Sequence, residues 1–345
     1  MISMNKLGLF FVLMTPNVYA EHMPAPTDEF LYHLKQSLVK VTTTTKSGGH
    51  SFGTGVAISK DHVVTNCHVL TNANGISISK WGVEYAPLSL QADWKHDLCI
   101  LKFEWADLKP VVMSDSDNLH YEQPVISISM PTDSPAPYVA LSNIKALYPM
   151  DGAEVVRTEA AFSIGASGSP IFDYAGKLIG ISTFKSPGRK AYYYNMPVKW
   201  IKALLTHEST DLNALHDLPF WDAPEEKRPF FMQIVMPFQN SRWVDVREIA
   251  LHWVNDEPKN AEAWYYLGAS FQHLGDIPHA VQHFRKALAL HDMHPASLSA
   301  LALIAQSQGD LVELSKIKSQ VKEISHEALE GLNDTLSANQ LSTNR

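Results

Sequence analysis

The stretch Ile164-Gly165-Ala166-Ser167-Gly168-Ser169-Pro170-Ile171-Phe172 decides how this chain is read. Glycines flank Ser167, so the backbone can turn sharply and aim the amides of Gly165 and Ser167 at one point, where they could hold a developing oxyanion. A serine nucleophile also needs a base and a group that orients the base. Upstream, Val63-Val64-Thr65-Asn66-Cys67-His68-Val69-Leu70 ends a β-branched run on His68. Between them, His96-Asp97-Leu98-Cys99-Ile100-Leu101 opens an apolar strand with a carboxylate that can accept the second imidazole N–H and fix the tautomer. Taken singly, each segment has an ordinary explanation: a histidine after a strand or a glycine-rich loop is common. In the order His68, Asp97, Ser167 they supply every part that acyl transfer requires.

Around these segments, from about Phe30 to Leu205, short apolar and β-branched runs alternate with Gly, Pro and Asn/Asp. Examples are Gly55-Val56-Ala57-Ile58, Pro124-Val125-Ile126-Ser127-Ile128 and Leu178-Ile179-Gly180-Ile181-Ser182. This spacing predicts an all-β sandwich or barrel rather than alternating strands and helices. The three segments closely resemble those of trypsin-like serine proteases, especially bacterial enzymes of the HtrA/Deg type. The resemblance covers roughly residues 45–202 and extends to Arg157-Thr158-Glu159-Ala160-Ala161 and to Asp173-Tyr174-Ala175-Gly176-Lys177. It implies a multidomain chain that begins with an all-β, chymotrypsin-like double six-stranded barrel. It also implies a catalytic triad of His68, Asp97 and Ser167, with the oxyanion hole at Gly165 and Ser167.

Two departures from the family narrow that expectation. Digestive relatives place an aspartate directly before the serine for zymogen activation; here Ala166 stands there, so order in the oxyanion loop must come from elsewhere. Where most relatives have glycine this chain has Ser169, read as structural rather than as a second nucleophile. Six residues before Ser167, at the base of the family's specificity pocket, lies Ala161, which offers an Arg or Lys side chain no partner. With Thr183, Phe184 and Lys185, expected beside the substrate, it suggests a small or medium apolar residue before the cut. Cys67 precedes the base and Cys99 lies two past the orienting acid, so contact between His68 and Asp97 would bring them together. Export would let them pair as a disulfide, worth roughly 3–4 kcal/mol in the chain-entropy model; the alternative is two small buried thiols.

Composition changes after the barrel. Residues 206–229, with Trp221-Asp222-Ala223-Pro224-Glu225-Glu226-Lys227-Arg228, read as a linker. Beyond it a 34-residue period aligns Trp264 with Leu298, Leu267 with Leu301 and Gly275-Asp276 with Gly309-Asp310. The pattern Trp264-x2-Leu267-Gly268, then Ala280, Phe284 and Ala287, resembles the tetratricopeptide repeat, which packs small residues of one helix against large ones of the next. The expected all-α unit spans 230–336, with its best repeat at 260–293, a terminal helix over 325–336 and a frayed tail over 337–345. His279, His283, His291 and His294 read as exposed repeat positions rather than metal ligands.

The first twenty residues carry Lys6, an apolar run from Leu7 to Met14, Pro16 and the ending Val18-Tyr19-Ala20. This is a signal-peptide pattern, so residues 1–20 are expected to be cleaved and the protease unit to span 25–205, in a periplasmic or secreted product without a membrane span. The formal charge is −8 and no basic tract occurs, which argues against nucleic-acid binding. No cofactor is called for. The leading expectation is a serine endopeptidase acting on a protein or peptide, with the repeats as a partner-binding unit. The alternative is a catalytically silent pseudoprotease that serves as an exported adaptor.

Overall fold

The computed structural model describes residues 24–343 except 46, 81, 115–118, 133, 135 and 211–217; the expected signal peptide lies outside the described residues. Helix α1 (Asp28–Lys35), capped by the Thr27 hydroxyl, leads into seven strands. These are β1 (Leu38–Thr45), β2 (His50–Ala57), β3 (His62–Thr65), β4 (Ala73–Lys80), β5 (Val83–Tyr85), β6 (Ser89–Asp93) and β7 (Leu98–Lys102), in sheet order β5-β4-β1-β2-β3-β7-β6.

The second sheet holds β8 (Val112–Met113), β9 (Pro124–Ser129), β10 (Tyr138–Met150), β11 (Ala153–Thr158), β12 (Pro170–Asp173), β13 (Lys177–Lys185) and β14 (Tyr193–Pro197). Its order β12-β9-β10-β11-β14-β13, with β12 also paired to β13, closes a six-stranded barrel to which β8 adds in parallel on β13. The first sheet differs from the expected six: it has seven strands, and its end strands β5 and β6 share no ladder among the described residues.

The strands beside His68 and Asp97, β3 and β7, lie where the two sheets meet. Val63, Cys99 and Leu101 face the interior of the first sheet. Val64, Leu98 and Ile100 turn the other way, into a cluster with Ile126, Phe172 and Ile181 of the second. Side chains alternate every residue along a strand. Both faces are buried here, which is why these runs read as unbroken apolar stretches.

Helix α2 (Val198–Leu204) closes the barrel region. The helical part comprises α3 (Phe230–Gln233), α4 (Val235–Gln239), α5 (Trp243–Asp256), α6 (Ala261–His273), α7 (Ile277–Leu290), α8 (Pro295–Gln308), α9 (Leu311–Ile324) and α10 (His326–Thr343). A Cβ on Gly268 would lie 2.8 Å from the Phe284 ring, so this glycine is what lets α6 and α7 approach. Asn260, Asp276 and Asp310 cap α6, α7 and α9 through their side chains.

Three expectations need correction. The tail does not fray at 337: α10 runs to Thr343, tied to α8 by Gln306, which donates to the Leu336 carbonyl and accepts from Asn339. His294 is not exposed; it is buried, and its Nδ1 caps α8 by accepting from the Ser297 amide at 3.1 Å. Nor are the described residues of 206–229 a free linker, since Thr210 bridges to Leu90 and Phe220 is buried with its amide on the Lys95 carbonyl. Proline and charge mark a crossing in sequence, but the adjacent aromatics Phe220 and Trp221 have apolar area to bury, and that fastens the segment.

The repeats pack directly on the second barrel. Tyr148 of β10 stacks on Phe231 with ring centroids 4.5 Å apart, in a cluster that continues through Trp253 to Tyr266. Within it, the half-buried Arg157 guanidinium donates to the Tyr148 hydroxyl at 3.0 Å and lies 4.5 Å from the Tyr192 ring. Tyr121, from the protease side, donates to the buried Glu262 carboxylate of α6 at 2.9 Å, and His294 Nε2 lies 3.3 Å from it. Burial pushes the Glu262 carboxyl up, but His294, the Arg157 charge and the Tyr121 bond outweigh it and hold it below its ordinary range. Tyr121→Phe keeps the ring and deletes this charge-assisted bond, so urea unfolding should show a loss of about 1.5–3 kcal/mol.

Candidate active site

β3 ends at Thr65, and the following 3-10 turn, Cys67–Leu70, carries His68. Asp97 sits in the turn before β7 with φ +59, a left-handed conformation that Asp tolerates better than most residues. The structure brings these two and Ser167 together. His68 Nδ1 lies 2.6 Å from Asp97 Oδ2, and the His68 amide donates to Asp97 Oδ1 at 2.8 Å. Its other nitrogen, Nε2, lies 2.9 Å from Ser167 Oγ. A carboxylate facing Nδ1 assigns the proton to that nitrogen and leaves Nε2 with a lone pair toward the serine. Asp97 is only 1% exposed, so its charge acts on the imidazole with little screening by water.

The backbone around the pair is pinned from both sides. The Asn66 side-chain amide donates to the Asp97 carbonyl and to Thr183 Oγ1, each at 2.9 Å. Cys67 and Cys99 form a disulfide that links the histidine turn to β7. The neighbouring turn is held by His96, which stacks on Trp200 at 3.8 Å, with Nδ1 2.6 Å from Asp93 and Nε2 2.9 Å from Asp151. The Asp151 carboxyl sits below its ordinary range because of Lys95 and then His96. No catalytic motif marks His96, Asp93 or Asp151, because their meeting depends on β10 and β11 reaching the first sheet.

Gly165 has φ +91, and a Cβ there would fall 2.9 Å from the Thr132 amide nitrogen. Neither the Gly165 nor the Ser167 amide donates a hydrogen bond among the described residues, so both remain for an oxyanion. In place of a zymogen aspartate the order comes from Thr54 of β2, which lies in the segment Gly53-Thr54-Gly55 before the histidine motif and to which the motif reading gave no role. Its hydroxyl donates to the Gly165 carbonyl at 2.9 Å and accepts from the Met130 amide at 3.0 Å. Its own amide donates to the Ser167 carbonyl at 2.8 Å. Thr54→Val preserves shape but leaves these buried groups unpaired. Expected results are a stability loss of about 1–3 kcal/mol for each orphaned group and a drop in serine reactivity of about 10–100-fold, read by melting and by labelling rate.

The remaining site candidates are placed less uniformly. Ser169 is fully buried with its hydroxyl unpartnered among the described residues, away from attack on a substrate. Ala161 is exposed. Thr183 is buried and its hydroxyl donates to the Ile181 carbonyl; Phe184 is buried and stacked on Tyr194 at 4.6 Å; Lys185 is exposed. A cavity of about 140 Å³ opens beside this strand, lined by Phe184, Lys185, Trp221, Glu225, Arg228 and Met236 among others. In the repeats, His279 bonds Asp276 at 2.7 Å and His283 stacks on Trp264.

A model of the trypsin-like peptidase domain matches residues 53–181, and one of the tetratricopeptide repeat matches residues 261–292. A probable periplasmic serine endoprotease of DegP-like type from Halomonas elongata is 33% identical over 138 residues, 39% of this chain and 29% of that protein. Its counterpart in a Marinomonas species is 34% identical over 138 residues, again 39% of this chain and 29% of that protein. The chain thus covers less than a third of the length of either relative. The solved structure of the HtrA-type protease AlgW with a tripeptide superposes with a TM-score of 0.47 and 23% identity over 52% of this chain and 64% of that one. The chain carries a trypsin-like peptidase domain similar to that of the HtrA/DegP endoproteases, with a tetratricopeptide repeat C-terminal to it.

Proposed function

We propose that this chain is an exported serine endopeptidase that hydrolyses peptide bonds through His68, Asp97 and Ser167. The observation that carries this reading is the continuous line of contacts from Asp97 Oδ2 through the imidazole to Ser167 Oγ, at 2.6 and 2.9 Å. Ser167 Oγ attacks the scissile carbonyl carbon while His68 Nε2 takes its proton, and the Gly165 and Ser167 amides hold the oxyanion. His68 then returns the proton to the leaving amine as the C–N bond breaks. Water, deprotonated by the same nitrogen, opens the acyl-enzyme and regenerates the serine. Asp97 keeps the imidazole in the required tautomer throughout.

The peptidase unit is assigned to residues 25–205 and the repeat unit to 230–336, the latter binding a protein or peptide. With Ala161 six residues before Ser167, where the family's specificity pocket has its base, basic residues before the cut find no counter-charge. Export rests on the N-terminal leader and on the DegP-like relatives described as periplasmic; no helix among the described residues is long and apolar enough to cross a membrane. The deciding test is covalent labelling of the full chain by a fluorophosphonate. A wild-type protein that takes no label in its folded state sinks the reading, and a mature N-terminus other than Glu21 sinks the leader assignment.

A further inference from the structure

Asp97 receives one donor that no catalytic motif contains. The indole Nε1–H of Trp221, from the segment after the barrel, donates to Asp97 Oδ2 at 3.0 Å, the same oxygen that faces His68 Nδ1. His68 supplies the other two donors to this carboxylate. Among the described residues Trp221 is therefore the one donor to this carboxylate from outside the residue that it must orient. The Thr183 hydroxyl of β13 is committed to the Ile181 carbonyl and to Asn66.

The Trp221 ring also occupies a defined place. It meets His68 edge-on at 5.5 Å and stacks on Phe184 at 5.7 Å with 20° between planes. β12 pairs with β13 only as far as Ile181. Ser182 is still bonded, its amide to the Ser169 carbonyl and its carbonyl to the Gly168 amide; from Thr183 to Lys185 β13 has an edge to which an extended peptide can add, with alternate side chains on opposite sides. With its scissile carbonyl at Ser167, such a peptide carries the side chain of the residue preceding the cleaved one between His68 and Phe184, where the indole lies. The segment that holds the indole is anchored on both sides. The Phe220 amide bonds Lys95 in the turn before Asp97, and the Arg228 carbonyl takes the Gln233 side chain of α3.

The geometry points to Trp221 as a positioning residue for the triad acid and as the wall of the adjoining substrate subsite, admitting only small side chains such as Gly, Ala or Ser. This inference rests on the peptidase reading above. Three proteins separate its parts: wild type, Trp221→Phe, which keeps a ring but loses the N–H, and Trp221→Ala, which opens the wall. The probes are tripeptidyl phosphonates that share an alanine at the cleaved position and carry either glycine or leucine before it.

Wild type should label at least about tenfold faster with the glycine probe, a steric preference of ordinary size for a closed apolar pocket, and Trp221→Ala should lose that preference. Trp221→Phe should label about 3–10-fold more slowly with both probes. Its acid limb should move to higher pH, because a carboxylate with one donor fewer concentrates its charge on the oxygen facing the imidazole. A merely structural role would leave that limb unmoved in a variant that melts normally. Equal wild-type labelling by the two probes overturns the wall. An unshifted pH profile in Trp221→Phe overturns the positioning role.

Hydrogen exchange of the Trp221 indole N–H, by NMR on the full chain, tests the contact without turnover. Slow exchange that becomes fast in Asp97→Ala supports it; fast exchange in wild type overturns it. If Ser167 takes no label at all, the peptidase reading fails and both functional roles fail with it, while the exchange measurement still decides the contact.

Discussion

Ser167→Ala is expected to lower peptide hydrolysis by about 10⁶-fold and to abolish fluorophosphonate labelling, because the nucleophile and base act as one unit. His68→Ala should fall about as far, and the double variant little further, since either loss alone disables the pair. Asp97→Asn should cost about 10⁴-fold. The amide can present N–H to Nδ1, which moves the imidazole proton to Nε2 and removes the acceptor for the serine. That variant also separates orientation from folding: Asp97 is buried and bonded to the His68 amide, so a melt beside the rate shows whether the turn has held. Hydrolysis by Ser167→Ala at the wild-type rate would remove Ser167 from the mechanism.

The largest stability effect is expected at the next residue. Gly168 has φ +88, and a Cβ there would lie 2.0 Å from the Thr54 carbonyl oxygen and 2.5 Å from the Thr65 hydroxyl. The first obstacle is backbone in the centre of β2 rather than a movable side chain, and the left-handed φ adds its own penalty for any L-residue. Gly168→Ala should therefore destabilise the chain by more than about 4 kcal/mol, measured by urea unfolding, or prevent it from accumulating folded. By contrast Gly152, with φ +75 but open space at its Cβ position, should tolerate alanine at the conformational cost alone. A Gly168→Ala protein as stable as wild type would mean that the loop from 165 to 168 can adopt another path.

Gly165 and Gly168 were legible as a sharp turn because such a turn leaves a local trace: only glycine takes these φ values freely. The same is true of the repeats, where Gly268 faces Phe284 and the small-against-large pattern is written at fixed spacing. The strand runs and the order His68, Asp97, Ser167 were legible for a related reason, since each motif lies within a few residues of chain. Export and specificity are another matter: leader residues 1–20 lie outside the described residues, and Ala161 sits exposed rather than lining a closed cavity.

By itself the sequence determined which residues could do chemistry and which stretches form strands and paired helices, because propensity, periodicity and turn geometry act over short separations. Only the tertiary structure decided that Thr54 holds the turn at Gly165, that His96 bridges Asp93 and Asp151, and that Tyr121 reaches Glu262 across 141 residues. It also turned the apparent linker into a strap whose Trp221 meets Asp97 124 residues away. Such contacts leave no local pattern. A buried carboxylate or carbonyl must find a donor, but which part of the chain supplies it depends on how the sheets and helices pack.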